Sequence, residues 1–282
     1  MIAMFPSLLA DPSRQAALER EGWAMLPSIG DALSTLRTIH ERVRAQLVSD
    51  PLWKGRGYYE LMHSMAFAVR RAAQAELEDA ITPFVREHIP GARLVVSNIL
   101  LKDPATRSSA TVLHQDFAIV DEASGARSLQ IWIPFVDVLD VTLGGIAFVP
   151  GSHHVPHPYR AQGDSTPFAR FISRLGERVV RPEMHAGDVV CFWGTTVHGS
   201  PPNLSPVSRA ALACMLIPRD AQLVHFVRHG PTEVEMWTMS DEDIRNMLPG
   251  KPPAEGRPVR RVVHEDPTLD EARFQAWCAS QA

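Results

Sequence analysis

The sequence predicts a mainly β protein with helical additions, built on a double-stranded β-helix (jelly-roll or cupin-like) core preceded by N-terminal helices. Three observations carry that expectation. The first ninety or so residues repeat the capping and spacing signals of helices. From about residue 93 the texture changes to short β-branched runs, about eight of them. Turn residues rather than long helices separate these runs, which suits two packed sheets whose open end holds a ligand.

Taken in order, Asp11 with Pro12 opens a first helix that Gly22 closes, and Asp31 opens a second with Leu33, Leu36, Val43 and Leu47 on one stripe. Residues 63–89 form a third, expected to break near Pro83, where the ring removes an N–H. The strand runs lie at 93–102, 110–120, 128–138, 145–150, 178–184, 188–194, 196–200 and 208–218. Gly144-Gly145 and the "HAGD" of 185–188 supply turns, and 151–178 is one long insertion. The tail holds a helix opened by Ser240, a Pro/Gly-rich stretch at 249–258 and an amphipathic helix from about Pro267. The organisation expected is one domain over 1–282: a helical preface at 1–92, a core at 93–218 and a C-terminal extension at 219–282.

Composition narrows the function classes. A net charge of −4 over 282 residues gives no electrostatic footprint for nucleic acid. Cys191, Cys214 and Cys278 are odd in number, widely spaced and form no C-x-x-C, which points to reduced thiols and a cytoplasmic setting. The apolar start "MIAMFPSLLA" has no basic flank and contains Pro6, so neither a signal peptide nor a membrane span is expected. No heptad marks an oligomeric state.

Chemistry enters at "TVLHQDFAIV", residues 111–120. In a strand, residues i and i+2 face the same way, so His114 and Asp116 would project together, as would Val112 and Ala118. An imidazole and a carboxylate turned into a barrel each lose hydration, and a divalent cation is one partner that compensates both. A plain His–Asp hydrogen bond on an exposed face is the alternative for this spacing alone. His198, on a later apolar strand, would complete two histidines and one carboxylate on one face of a metal, an arrangement that suits non-haem Fe(II). Arg209 opens the apolar run "AALACMLIP", where a guanidinium is costly unless a carboxylate ligand meets its fork, and Ser200 could add a hydroxyl to the same anion.

With His114/Asp116, "GGIAFVPGSHH" at 144–154, and His198, Ser200, Asn203 and Arg209 in that order, the chain resembles the phytanoyl-CoA dioxygenase-like Fe(II)/2-oxoglutarate-dependent oxygenases over roughly residues 93–218. The resemblance implies a jelly-roll core, iron held by His114, Asp116 and His198, and 2-oxoglutarate on the iron with its far carboxylate on Arg209 and Ser200. It also implies O2 as co-substrate, hydroxylation of an unactivated C–H of a small metabolite or natural-product intermediate, and release of succinate and CO2. Trp132 looks like the aromatic that lines the co-substrate pocket in some members, and Gln130 shares its face. Because Asp116 is kept where related halogenases have a small residue, halogenation is disfavoured. The acyl-CoA of the family name does not transfer, since no acyl-CoA signature is present.

Other residues have plainer readings. His185 sits in a turn, and His153, His154 and His157 in a Pro-rich loop, so surface or loop-capping roles are expected. His225 and His229 follow the last core strand and face either substrate or solvent. Phe148, Phe192 and Trp193 read as core, and Lys54, Arg56, Arg70 and Arg71 as a solvated surface, though "WKGRGYYE" at 53–60 lies where related enzymes carry a lid. The loop "DPATRSSAT" and Phe117 are candidates for the pocket rim. Two rival functions keep the same core: a cupin-type metal isomerase or dioxygenase that needs no 2-oxoglutarate, and a non-catalytic jelly-roll binding protein.

Overall fold

The computed structural model describes residues 6–53, 55–247 and 252–281; Lys54 and part of the 249–258 stretch lie outside them. In chain order the elements are α1 (Pro12–Glu21), β1 (Trp23–Leu26), α2 (Ala32–Ser49), β2 (Tyr58–Glu60), α3 (Phe67–His88), β3 (Ala92–Lys102), β4 (Thr111–His114), β5 (Leu129–Pro134) and β6 (Ala147–Phe148). There follow β7 (Val189–Trp193), β8 (His198–Ser200), β9 (Arg209–Pro218), β10 (Val224–Gly230), β11 (Glu233–Thr238), α4 (Asp241–Arg245), β12 (Pro258–Val263) and α5 (Glu271–Ser280).

Two antiparallel sheets make the jelly roll: a six-stranded one in the order β1-β7-β5-β9-β3-β2 and a three-stranded one in the order β4-β8-β6. The period of two along each strand divides the large sheet into two chemistries. Leu129, Ile131 and Ile133 of β5, Cys191 and Trp193 of β7, and Leu212, Cys214 and Leu216 of β9 pack with Leu36, Val43, Leu77 and Ile81 of the helices. Alternate residues of the same strands, Gln130, Trp132, Phe192 and Arg209, line a cavity on the other side. The helices therefore bury one face, and the inner face sets Gln130 and Arg209 among a second apolar cluster that holds Trp132, Val190, Phe192 and Ala211.

Several local expectations need correction. Pro83 does not break α3, which runs unbroken from Phe67 to His88. Burial of Leu77, Ile81, Phe84 and Val85 along one face holds the helix through the missing N–H. Asp31 begins α2 without a side-chain cap, whereas Asp11 accepts from Ser13 N and Arg14 N as expected of an N-cap, a bond worth about 1 kcal/mol. The preface is not all helix, because β1 and β2 close both edges of the large sheet. Residues 178–184 contribute only the isolated bridges Phe148↔Val180 and Val138↔Met184, and the strand begun at Thr111 ends at His114 rather than 120. The tail carries a third sheet, β10-β11-β12, that its sequence did not announce. Ser240 does make a capping box with Asp243, and α5 starts at an Asp270 cap.

Arg70, expected in solvent, is fully buried and donates Nη1 to Met62 O at 2.8 Å and Ser64 O at 3.3 Å. His153 and His157 are buried as well, because the insertion folds back beneath α5, with Phe168 and Phe171 against Phe274 and Trp277. No helix among the described residues is long and apolar enough to cross a membrane.

Candidate metal centre

β4 and β8 are neighbours, and their register sets His114 opposite His198 with ring centroids 4.4 Å apart. Each imidazole is turned the same way by its own backbone. Nδ1 of His114 donates to Val112 O at 2.8 Å and Nδ1 of His198 to Thr196 O at 2.9 Å, which leaves the lone pair on both Nε2 atoms. Burial pulls the pKa of His198 down to about 4 against the raising effect of Asp116, so this imidazole is neutral at pH 7.

Asp116 arrives by a different route from the one its spacing suggests. The chain has left the strand, and Asp116 N donates to Gly194 O at 3.1 Å while Arg160 Nε donates to Asp116 O at 2.5 Å. Val112 accordingly does not share its face, being 76% exposed while Ala118 is buried. Asp116 Oδ1 lies 3.9 Å from His114 Nε2 and 3.8 Å from His198 Nε2. These distances exceed a hydrogen bond, which removes the plain His–Asp pairing as an account of the cluster. One ligand atom from each residue lies within 4.8 Å of the others, and Asp116 Oδ2 is buried without a partner. Three lone-pair donors around a common point, with an unsatisfied carboxylate oxygen, fit a divalent cation with one face left open.

The three residues open onto a cavity of about 350 Å³. Arg209 stands in its wall, 1% exposed, with Nε donating to Gly144 O at 3.2 Å, Nη2 to Ser200 Oγ at 3.4 Å, and Nη1 buried without a partner. Its guanidinium carbon lies 5.6 Å from the Trp132 ring centroid, and burial lowers its pKa only to about 10, so it stays cationic. Lys102 is beside it, with Nζ donating to Ser200 Oγ at 2.7 Å, Ser200 O at 3.1 Å and Pro201 O at 2.6 Å; burial and then Arg209 pull its pKa to about 6. No carboxylate pairs with Arg209 or Lys102 among the described residues, and the Arg209 guanidinium, charged and with Nη1 unpartnered, is built to receive an anion. Ser200 is less free than its sequence position suggests, since its proton goes to Gly144 O at 2.6 Å.

Gln130, Trp132 and Phe117 line this cavity, as does Thr111 at the end of the "DPATRSSAT" loop. From the suggested lid, Tyr58 and Glu60 line it too. His185 is exposed beside Asp137, and His225 is buried in a separate cavity beside Met239 and Asp243. His229 lies 3.6 Å from Glu235. Sequence reasoning missed Lys102, although a lysine two residues beyond inward-facing Leu100 was the available signal. It also missed Arg160, which clamps Asp116 while held by Glu122 in a bidentate pair at 2.6 and 2.7 Å; nothing in the spacing of these two marks them as partners.

A family model described as phytanoyl-CoA dioxygenase (PhyH) matches residues 32–211. No curated protein is significantly similar in sequence. Among solved structures, the epimerase SnoN in complex with Fe3+, alpha ketoglutarate and nogalamycin RO is similar at TM-score 0.58 and 21% identity, covering 93% of this chain and 98% of that one. HygX from Streptomyces hygroscopicus, with nickel, 2-oxoglutarate and hygromycin B bound, gives 0.53 and 14% over 74% of this chain and 87% of that one. AviO1 from Streptomyces viridochromogenes Tue57 gives 0.52 and 22% over 75% and 98%. At these identities the likeness is one of fold.

Proposed function

This chain belongs to the phytanoyl-CoA dioxygenase (PhyH) family, and is thus an Fe(II)- and 2-oxoglutarate-dependent enzyme; from that premise we propose that it hydroxylates an unactivated C–H of a small metabolite or natural-product intermediate. The observation that carries the reading is the convergence of His114, Asp116 and His198 beside a buried guanidinium with a free N–H. In it, His114 Nε2, Asp116 and His198 Nε2 hold iron, and Arg209, with Ser200 and Lys102 behind it, meets the far carboxylate of 2-oxoglutarate. Bound together with O2, iron and 2-oxoglutarate supply an oxidant able to attack a C–H bond, with succinate and CO2 as the co-products. The chain's own part is to fix the three ligands, to keep Arg209 charged in a dry wall, and to stack Trp132 against it.

The three free cysteines support a cytoplasmic setting, and the likeness to structures holding hygromycin B and nogalamycin RO supports a small-molecule substrate. In this reading the chain acts as one domain, since the preface lends β1 and β2 to the large sheet and the extension packs Met239 and Ile244 with Val95 and Val96, and Phe274 and Trp277 with Val149 and Val197. The test is an anaerobic titration with Fe(II) and then 2-oxoglutarate, followed by the visible charge-transfer band of a chelated 2-oxo acid. A band that needs both additions and is lost in Arg209→Ala is expected. Tight iron binding without the band would instead favour a metal enzyme that does not use 2-oxoglutarate, and no iron binding would leave a binding scaffold.

A further inference from the structure

The cavity holds one more charge than the iron and 2-oxoglutarate chemistry uses. Four side chains on its wall are carboxylates or guanidinium: Glu60, Asp116, Asp164 and Arg209. In the reading above, on which this inference rests, Asp116 is taken by the metal and Arg209 by the co-substrate. Asp164 is paired with Arg228. Glu60 remains, and among the described residues no lysine or arginine pairs with it.

Glu60 is also held in place. His63 Nδ1 donates to Oε1 at 2.5 Å and the Tyr58 hydroxyl to Oε2 at 3.3 Å. Gln162 Nε2 lies 3.3 Å from His63 Nε2, which fixes the ring between the two side chains. The groups that hold the carboxylate are an imidazole and a phenol, and no lysine or arginine is among them. Backbone bonds fix the turn that carries it: Leu61 N to Ile99 O at 3.0 Å, Met62 N to Asn98 Oδ1 at 2.8 Å, and buried Arg70 to Met62 O. Ser64 Oγ and Met65 N both bind Asp50 Oδ2 at 2.7 Å. A carboxylate pre-positioned in a cavity, 16% exposed and with no lysine or arginine partner among the described residues, is a receptor for a cation.

We propose that Glu60, supported by His63 and Tyr58, is the substrate-recognition carboxylate and that the substrate carries an ammonium group. The same charge disfavours substrates presenting a carboxylate or phosphate at that end of the cavity. Binding is measured on protein loaded with Ni(II) and 2-oxoglutarate, using cyclohexylamine, cyclohexanol and cyclohexanecarboxylate as ring-matched cation, neutral and anion probes in saturation-transfer NMR and calorimetry. The amine is expected to bind at least tenfold more tightly than the carboxylate. Glu60→Gln should abolish that preference while metal and 2-oxoglutarate still bind, and Glu60→Asp should keep it. Equal binding of amine and carboxylate, or a preference that survives in Glu60→Gln, would overturn the inference. Wild-type protein that takes up neither metal nor 2-oxoglutarate would instead overturn the oxygenase reading, and the probe comparison would then be made on the apo-protein.

Discussion

Arg209 shows how a single side chain carries a prediction. Its Nε and one N–H of Nη2 are engaged at 3.2 and 3.4 Å, which leaves both N–H groups of Nη1 and the second of Nη2, so the anion it receives is met by a fork already fixed in plane. Lysine keeps the charge but not the fork. Arg209→Lys should raise the Kd for 2-oxoglutarate at least tenfold, about 1.4 kcal/mol, with Fe(II) affinity nearly unchanged, as read from the charge-transfer band. An unchanged Kd would place the anion elsewhere. Asp116→Ala removes the carboxylate common to both histidine contacts and should abolish most Fe(II) uptake in equilibrium dialysis. These residues were legible in the sequence for one reason: each is a polar group inside an apolar run, where burial demands a partner. Glu60 and Arg160 were not: Glu60 ends the three-residue run "YYE", too short to show which way it faces, and Arg160 lies in a polar loop where a charge needs no explanation, so only the folded chain turns them inward.

At the level of elements, the site depends on how closely two strands approach. Gly199 separates His198 from Ser200, and a Cβ there would meet Thr111 O at 2.8 Å and Val112 O at 3.0 Å, both backbone atoms of β4. Neither can yield without moving the strand that bears His114. Gly199→Ala should therefore weaken Fe(II) binding at least tenfold by parting the two histidines, with far-UV circular dichroism unchanged; wild-type affinity would mean that the small sheet absorbs the methyl group elsewhere. The insertion acts on the third ligand in a comparable way. Glu122→Gln leaves Arg160 buried without its bidentate partner, at a cost of about 3–5 kcal/mol, and frees the clamp on Asp116 O. Lower stability together with weaker Fe(II) binding is the expected pair of outcomes, and weaker stability alone would make the clamp merely structural. The core strands of this machinery were readable from their β-branched runs, whereas β1, β2 and the β10-β11-β12 sheet were not. β1 and β2 are only four and three residues long and become strands by pairing with β7 and β3, which lie far away in sequence, whereas β10 and β11 form a local hairpin whose alternating "EVEMWT" was the signal passed over.

For the molecule as a whole, the layers that shield the site also bury ionisable groups, and this ties stability to pH. Helices cover one face of the large sheet, while the 151–178 insertion and α5 close over the small one, taking His153 and His157 out of water. Burial, aided by neighbouring positive groups, lowers both from 6.5 to about 3. A histidine kept neutral in the native state and free to charge in the unfolded one makes the unfolded chain bind more protons below pH 6.5. Stability from these groups is thus complete above about pH 6.5 and is lost progressively as the pH falls toward 3. At pH 4.5 the loss is roughly 2–3 kcal/mol per histidine, at about 1.4 kcal/mol for each pH unit below the unfolded pKa. His157 is the cleaner test, because its ring hydrogen-bonds to Gln115 Oε1 at 3.4 Å and it does not belong to the cluster of His114, Asp116 and His198. The Tm of the apo-protein should fall steeply between pH 7 and 4.5, and in His157→Gln the slope should be shallower over the same range. Parallel curves for the two proteins would show that His157 is charged in the folded state and that the insertion opens to water.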